Sequence, residues 1–149
     1  MASQPFPHHY HVSASAEGES LVPTNSPGLP TIMAAPPAEF GGPGDKWSPE
    51  TLFVSTVSTC LILTFRSVAR ASKVEWHTID VNSEGVLDRV DGVNRFTEFT
   101  IKVKLAVPEG QDQERAQRAV EKSKDICLIT NSMNAEFKLE TTVAVGQAG

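Results

Sequence analysis

Cysteine is scarce in this chain: two among 149 residues, Cys60 and Cys127. Two thiols far apart in sequence do not make a disulfide framework, so each is either a small buried hydrophobe or a working thiol. Basic clusters are also missing. The 13 Lys and Arg are scattered against 18 Asp and Glu, for a formal charge of −5 and a pI near 5.3, which excludes a phosphate-backbone footprint and hence a nucleic-acid partner. The start MASQPFPHHYHV lacks a basic n-region and apolar h-region, and no uninterrupted apolar run reaches the ~18 residues of a membrane helix. A cytoplasmic protein with no membrane partner is expected. GGPG precedes a helix without the Lys-Ser/Thr pair of a phosphate loop, and no nucleophile elbow accompanies His77. His8, His9 and His11 read as a solvated terminal cluster, since His9 and His11 share a strand face but no third ligand at recognisable spacing accompanies them, so neither a metal nor a cofactor is expected.

The length suits one core, so a single domain spanning 1–149 is expected, with residues 1–7 disordered. Tyr10, Val12, Ala14 and Ala16 alternate with polar positions, as in a half-buried strand. From Pro23 to Gly44 a proline-rich connection holds one brief strand at Thr31-Ile32-Met33. Ser48-Pro49-Glu50 then opens a helix: Ser48 caps, Pro49 sits where its missing donor costs nothing, and Glu50 complements the dipole. The helix is expected to run to about Ser72. It carries no charge between Glu50 and Arg66, and a helix apolar on nearly all sides is a buried one. VEWHTIDV and FTEFTIKVKLAV flank a turn at Asp91-Gly92 as a long antiparallel hairpin, with a bulge at Gly85. In 111–128 Ala116, Ala119, Val120, Ser123 and Cys127 recur at helical spacing, which turns Cys127 inward. NAEFKLETTVAV supplies a last strand with Phe137, Leu139, Val143 and Val145 on one face. The order predicts an α+β fold with antiparallel sheets around a long buried central helix.

YHVSASAEG, FGGPGDKWSPETLFVSTVSTC and CLITNSM, in that order, resemble the OsmC/Ohr family of cysteine-based peroxidases from residue 10 onward. The most specific part is the Pro-Glu helix opening, followed ten residues after the Glu by a cysteine. The resemblance implies an intertwined homodimer that reduces organic hydroperoxides and hydrogen peroxide, with a dithiol reductant of lipoyl type as partner. It implies Cys60 as peroxidatic cysteine, Cys127 as resolving cysteine and Glu50 as the site glutamate. The chain departs from the family at Gly18-Glu19-Ser20, where the family places an arginine that stabilises the thiolate and pairs with the glutamate.

Peroxide reduction needs a thiolate to attack the O–O bond and a second thiol to condense with the resulting sulfenic acid. Mid-helix Cys60 gains little from its local amides, and apolar surroundings raise a thiol's pKa, so a cation from elsewhere is expected: Lys46, His9, His11 or a basic residue of a partner subunit. Glu50 and Cys60 are about 15 Å apart along one straight helix, so a shared site requires two antiparallel helices across a two-fold axis. The alternative reading is an OsmC-like scaffold that has lost its arginine and binds a small apolar ligand without turnover. Trp47, Phe53 and Phe65 are read as core or dimer contacts rather than as a substrate wall.

Overall fold

A computed structural model describes residues 3–146, and the chain divides into two compact units between Leu52 and Phe53. In the first unit β1 (Ser13–Ala14), β2 (Val22–Asn25) and β3 (Ile32–Ala34) form an antiparallel sheet in that order, followed by a 3-10 turn at Ala38–Phe40. Strand β2 contradicts the expectation of a single brief strand between Pro23 and Gly44. Pro23 argued against it, yet proline lacks only the donor, and its carbonyl accepts from the Ser15 N–H at 3.3 Å. Tyr10, Val12, Ala14 and Ala16 are exposed rather than half-buried, because nothing within the described residues covers that face. Of the expected disordered start, residues 3–7 form no regular element, while residues 1 and 2 lie outside the described residues.

Helix α1 (Pro49–Ser72) begins where the sequence places it. Ser48 Oγ accepts from the Thr51 N–H at 3.1 Å, and the Ser48 N–H donates to Thr51 Oγ1 at 2.9 Å, so a hydroxyl completes a reciprocal cap usually made by Glu or Gln. By length and composition α1 could cross a membrane: an 18-residue stretch has a mean hydropathy of 1.6. This corrects the expectation drawn from uninterrupted apolar runs, which the Ser and Thr residues break without cancelling the average. Here the apolarity serves packing, and on one face only. Val57, Leu61, Phe65, Val68 and Ala69 are buried, whereas Phe53 and Leu63 are 39% and 52% exposed.

The second unit is built on β4 (Thr78–Val90), β5 (Val93–Val107) and β6 (Glu136–Val145), with β5 in the centre. The β4–β5 turn has positive φ at Asp91 (51°) and Gly92 (77°), the backbone that an Asp-Gly pair favours in a two-residue hairpin. Its bulge lies between Val86 and Leu87, where two residues of β4 face Glu98 and Phe96 and Thr97 is the extra residue of β5. Gly85 is therefore not the bulge. It is where α1 comes close: a Cβ there would lie 2.8 Å from Val54 Cγ2 and 2.9 Å from Phe99 Cε1.

The two later elements are α2 (Gln113–Ile126), capped by Asp112 on the Arg115 N–H, and the single turn α3 (Leu128–Asn131). β6 pairs with β5 in parallel, not antiparallel, because α2 carries the chain back along the sheet before β6 begins. One face of β5 (Phe99, Ile101, Val103, Leu105 and Val107) packs on the buried face of α1 and on Ala116, Ala119 and Val120 of α2. Phe53 of α1, Phe96 and Phe99 of β5 and Phe137 of β6 form a chain of ring contacts with centroids 5.1–5.6 Å apart between neighbours. Lys102, Lys138, Glu98 and Glu140 pair on the opposite, solvated face.

Candidate active site

Cys60 sits in the middle of α1, half-buried, and Cys127 sits at the junction of α2 and α3 with no exposed surface. The buried row Ala116, Ala119, Val120 and Ser123 turns α2 so that Cys127 points into the core, as its spacing predicts. Packing of α1 and α2 on the same face of β5 then brings the two sulfurs within hydrogen-bonding reach of each other, both as free thiols.

The junction supplies polar partners. The Ile129 N–H is directed at both sulfurs, and the Thr130 N–H and hydroxyl lie against Cys127. Thr64, one turn beyond Cys60, places its Oγ1 3.8 Å from the Cys60 sulfur. The Thr130 hydroxyl also donates to the carbonyl of Cys127 at 3.2 Å, which holds the turn closed.

These surroundings separate the two thiols. Burial, then the hydrogen bond with Cys127, push the Cys60 thiol above its ordinary value, and the Ile129 N–H and Thr64 only partly offset this. Burial also works against the Cys127 thiolate. There it is outweighed by hydrogen bonds from Cys60, the Thr130 and Ile129 amides and the Thr130 hydroxyl, so Cys127 lies below its ordinary value. Of the two thiols, Cys127 is thus the one that gives up its proton more readily.

Backbone N–H groups and hydroxyls are therefore the partners of the two thiols inside this unit. The sequence reading sought a cation instead, and it overlooked Thr64, Ile129 and Thr130. Thr64 was detectable as a hydroxyl four residues after Cys60 in a helix. Thr130 was detectable as the hydroxyl three residues after Cys127. Arg66, six residues after Cys60 in α1, is exposed. At Gly18-Glu19-Ser20 the chain makes a turn: Gly18 has φ 58°, the Ser20 N–H donates to the Glu17 carbonyl, and the Ser20 hydroxyl donates to Leu21.

Glu50 belongs to the first unit. Its Oε1 is buried without a hydrogen-bond partner among the described residues, beside a cleft lined by Val22, Ala34, Pro36, Phe40 and Leu52. Among the described residues no group of three or more His, Cys, Asp or Glu could hold a metal ion.

A mixed sheet under a long helix, with two free thiols within hydrogen-bonding reach of each other, defines an α+β protein that encloses a dithiol. Residues 42–142 match the family model described as OsmC-like protein. The chain belongs to the OsmC-like family. It is 24% identical to the uncharacterized protein YmaD of Bacillus subtilis over 145 residues, 93% of this chain and 97% of the relative. It is 23% identical to an organic hydroperoxide resistance protein of Xanthomonas axonopodis pv. citri, covering 90% and 92% of the two chains. Among solved structures it resembles an OsmC-like protein of unknown function from Vibrio cholerae, with a TM-score of 0.82 at 17% identity, covering 91% of this chain and all of that one.

Proposed function

We propose that this chain is a thiol-dependent peroxidase for organic hydroperoxides, with Cys60 as nucleophile and Cys127 as resolving thiol. The observation that carries the reading is the approach of a half-buried and a fully buried thiol to within hydrogen-bonding reach, with the Ile129 N–H serving both. The family membership and the name of the Xanthomonas relative support the substrate class. Only Cys60 has exposed surface, so peroxide meets it first.

In this reading the reactive form of the pair holds one proton and one negative charge. The Cys60 proton passes to Cys127, and the Cys60 thiolate attacks the terminal peroxide oxygen. The O–O bond breaks, a sulfenic acid forms on Cys60, and the leaving alkoxide takes the Cys127 proton to become the alcohol. The Cys127 thiolate then attacks the Cys60 sulfur and expels hydroxide, which takes a proton from solvent. Two thiols are oxidised to a disulfide while one hydroperoxide is reduced to alcohol and water. An external dithiol, of lipoyl type in this reading, reopens the disulfide by exchange.

The working unit in this reading is a homodimer in the cytoplasm. Phe53, Thr56, Cys60, Leu63 and Ser67 recur at helical spacing as a stripe of α1 flanking the buried one, and none of them is charged. A second antiparallel α1 would cover it and bring the partner's Glu50 toward Cys60. Intact mass after one equivalent of cumene hydroperoxide tests the chemistry: rapid loss of two hydrogens, abolished in Cys60→Ser, is expected. Thiols that persist for hours would overturn it and favour a ligand-binding scaffold.

A further inference from the structure

Cys60 and Cys127 bring two sulfur ligands within hydrogen-bonding reach of each other, both as free thiols and both in the second unit. The expectation of no metal rested on the histidines, and two cysteines fall short of the three or four protein ligands that Zn(II) takes. Two thiolates are nonetheless a full set for a soft, singly charged ion. Thiolates favour soft ions such as Cu(I), and the filled d shell of Cu(I) tolerates coordination by two neighbours.

A metal–sulfur bond is about 2.3 Å long, so two sulfurs facing each other across one ion stand roughly 4.5 Å apart. Sulfurs already within hydrogen-bonding reach have only to open slightly along the line that joins them. Cys60 is half-buried and offers the entry, while Cys127 has no exposed surface and closes the site from within. Cu(I) between two thiolates carries one net negative charge. The Ile129 N–H, directed at both sulfurs, and the Thr130 N–H and hydroxyl against Cys127 are placed to offset it. Zn(II) lacks the ligands it needs, because among the described residues no group of three or more His, Cys, Asp or Glu could hold a metal.

We propose that the reduced pair binds one Cu(I) per chain as a two-coordinate bis-thiolate. Each thiol releases its proton to solvent and each sulfur forms one bond to the ion, so two protons leave and nothing is oxidised or reduced. Both ligands and their hydrogen-bond donors belong to one chain, so the site is complete with or without a second copy against α1. A carboxylate brought near Cys60 by such a copy is a hard ligand and competes poorly for a soft ion. The proposal concerns metal binding and does not rest on peroxide turnover: a chain that binds copper but ignores hydroperoxide, or the reverse, separates the two readings.

The test mixes the full reduced chain, under oxygen-free conditions, with Cu(I) held by the coloured chelator bicinchoninate. Withdrawal of one copper per chain is expected, with two sulfur neighbours and no others in X-ray absorption. Cys60→Ser and Cys127→Ser should each abolish the uptake while keeping the circular dichroism of the wild type. Alkylation of Cys60 in the folded wild type repeats that loss without a substitution, and the disulfide form made with diamide should take up none. Zn(II) should bind at least about a hundredfold more weakly than Cu(I), as expected for an ion short of its ligand set. Copper left wholly on the chelator, uptake unchanged in either serine variant or after alkylation, a third ligand in the absorption spectrum, one copper shared by two chains, or zinc bound as tightly would overturn the proposal.

Discussion

Replacing Gly85 by alanine puts a methyl group where α1 crosses β4. The new carbon would lie 2.8 Å from Val54 Cγ2, 2.9 Å from Phe99 Cε1 and 3.1 Å from Phe96 Cδ1, all shorter than ordinary van der Waals contact. Phe99 is fully buried and stacked on Phe137, so it cannot yield cheaply. Overpacking of this kind costs about 1–3 kcal/mol, and the lost freedom of the unfolded glycine returns roughly 0.4–1 kcal/mol. The net expectation is a destabilisation of about 1–2 kcal/mol. At about 2–4 °C per kcal/mol for a chain of this size, Tm should fall by roughly 2–8 °C in a circular-dichroism melt. Adding Val54→Ala removes one of the three collisions and should recover part of the loss, a coupling that a double-mutant cycle measures. If alanine is forced in, α1 must shift relative to the sheet, so disulfide formation between Cys60 and Cys127 should slow as well. A Gly85→Ala protein that melts at or above the wild type would refute the close approach of α1 and β4.

The thiols should titrate in two steps, because Cys127 lies below and Cys60 above the ordinary 9.0. Thiolate absorbance should rise in one step below that value and one above it. Peroxide consumption should fall as pH drops through the lower step and the pair takes its second proton; one coincident transition at the ordinary value would contradict the separation of the two thiols. Cys127→Ser should leave the Cys60 sulfenic acid unresolved, seen as gain of a single oxygen or trapping by dimedone. Thr64→Val deletes the hydroxyl near the Cys60 sulfur and should slow peroxide consumption about threefold, as expected for a weak hydrogen bond of about 0.5–1 kcal/mol, with no loss in Tm. Ser48→Ala removes the acceptor for the Thr51 N–H and should cost about 1 kcal/mol in denaturant unfolding, largely restored by Ser48→Asp. Leu63→Asp places a charge on the uncharged stripe of α1 and should yield a monomer in sedimentation; an unchanged dimer would place the interface elsewhere.

Much of the fold follows from local chemistry. Ser48-Pro49-Glu50 starts α1 because a cap, a fixed φ and an acidic first turn are properties of adjacent residues. Asp91-Gly92 makes the hairpin because few other pairs accept two positive φ angles in succession. The inward direction of Cys127 follows from the apolar period of α2. The misreadings share a different cause. Pro23 speaks against a strand locally, but β2 is held by pairing with segments on either side. The parallel direction of β6 depends on where α2 returns the chain, which no property of Glu136–Val145 records.

The amino-acid order by itself determined helices α1 and α2 and the β4–β5 hairpin, since periodicity, capping and turn preference act over a few residues. Only the tertiary structure decided that Cys60 and Cys127 come within hydrogen-bonding reach and that the Ile129 amide serves both sulfurs. Those relations arise from the packing of α1 and α2 on one face of β5, and they set which thiol holds the charge. The reason is physical: a thiol's acidity depends on burial and on donors within a few ångströms, and both come from segments remote along the chain.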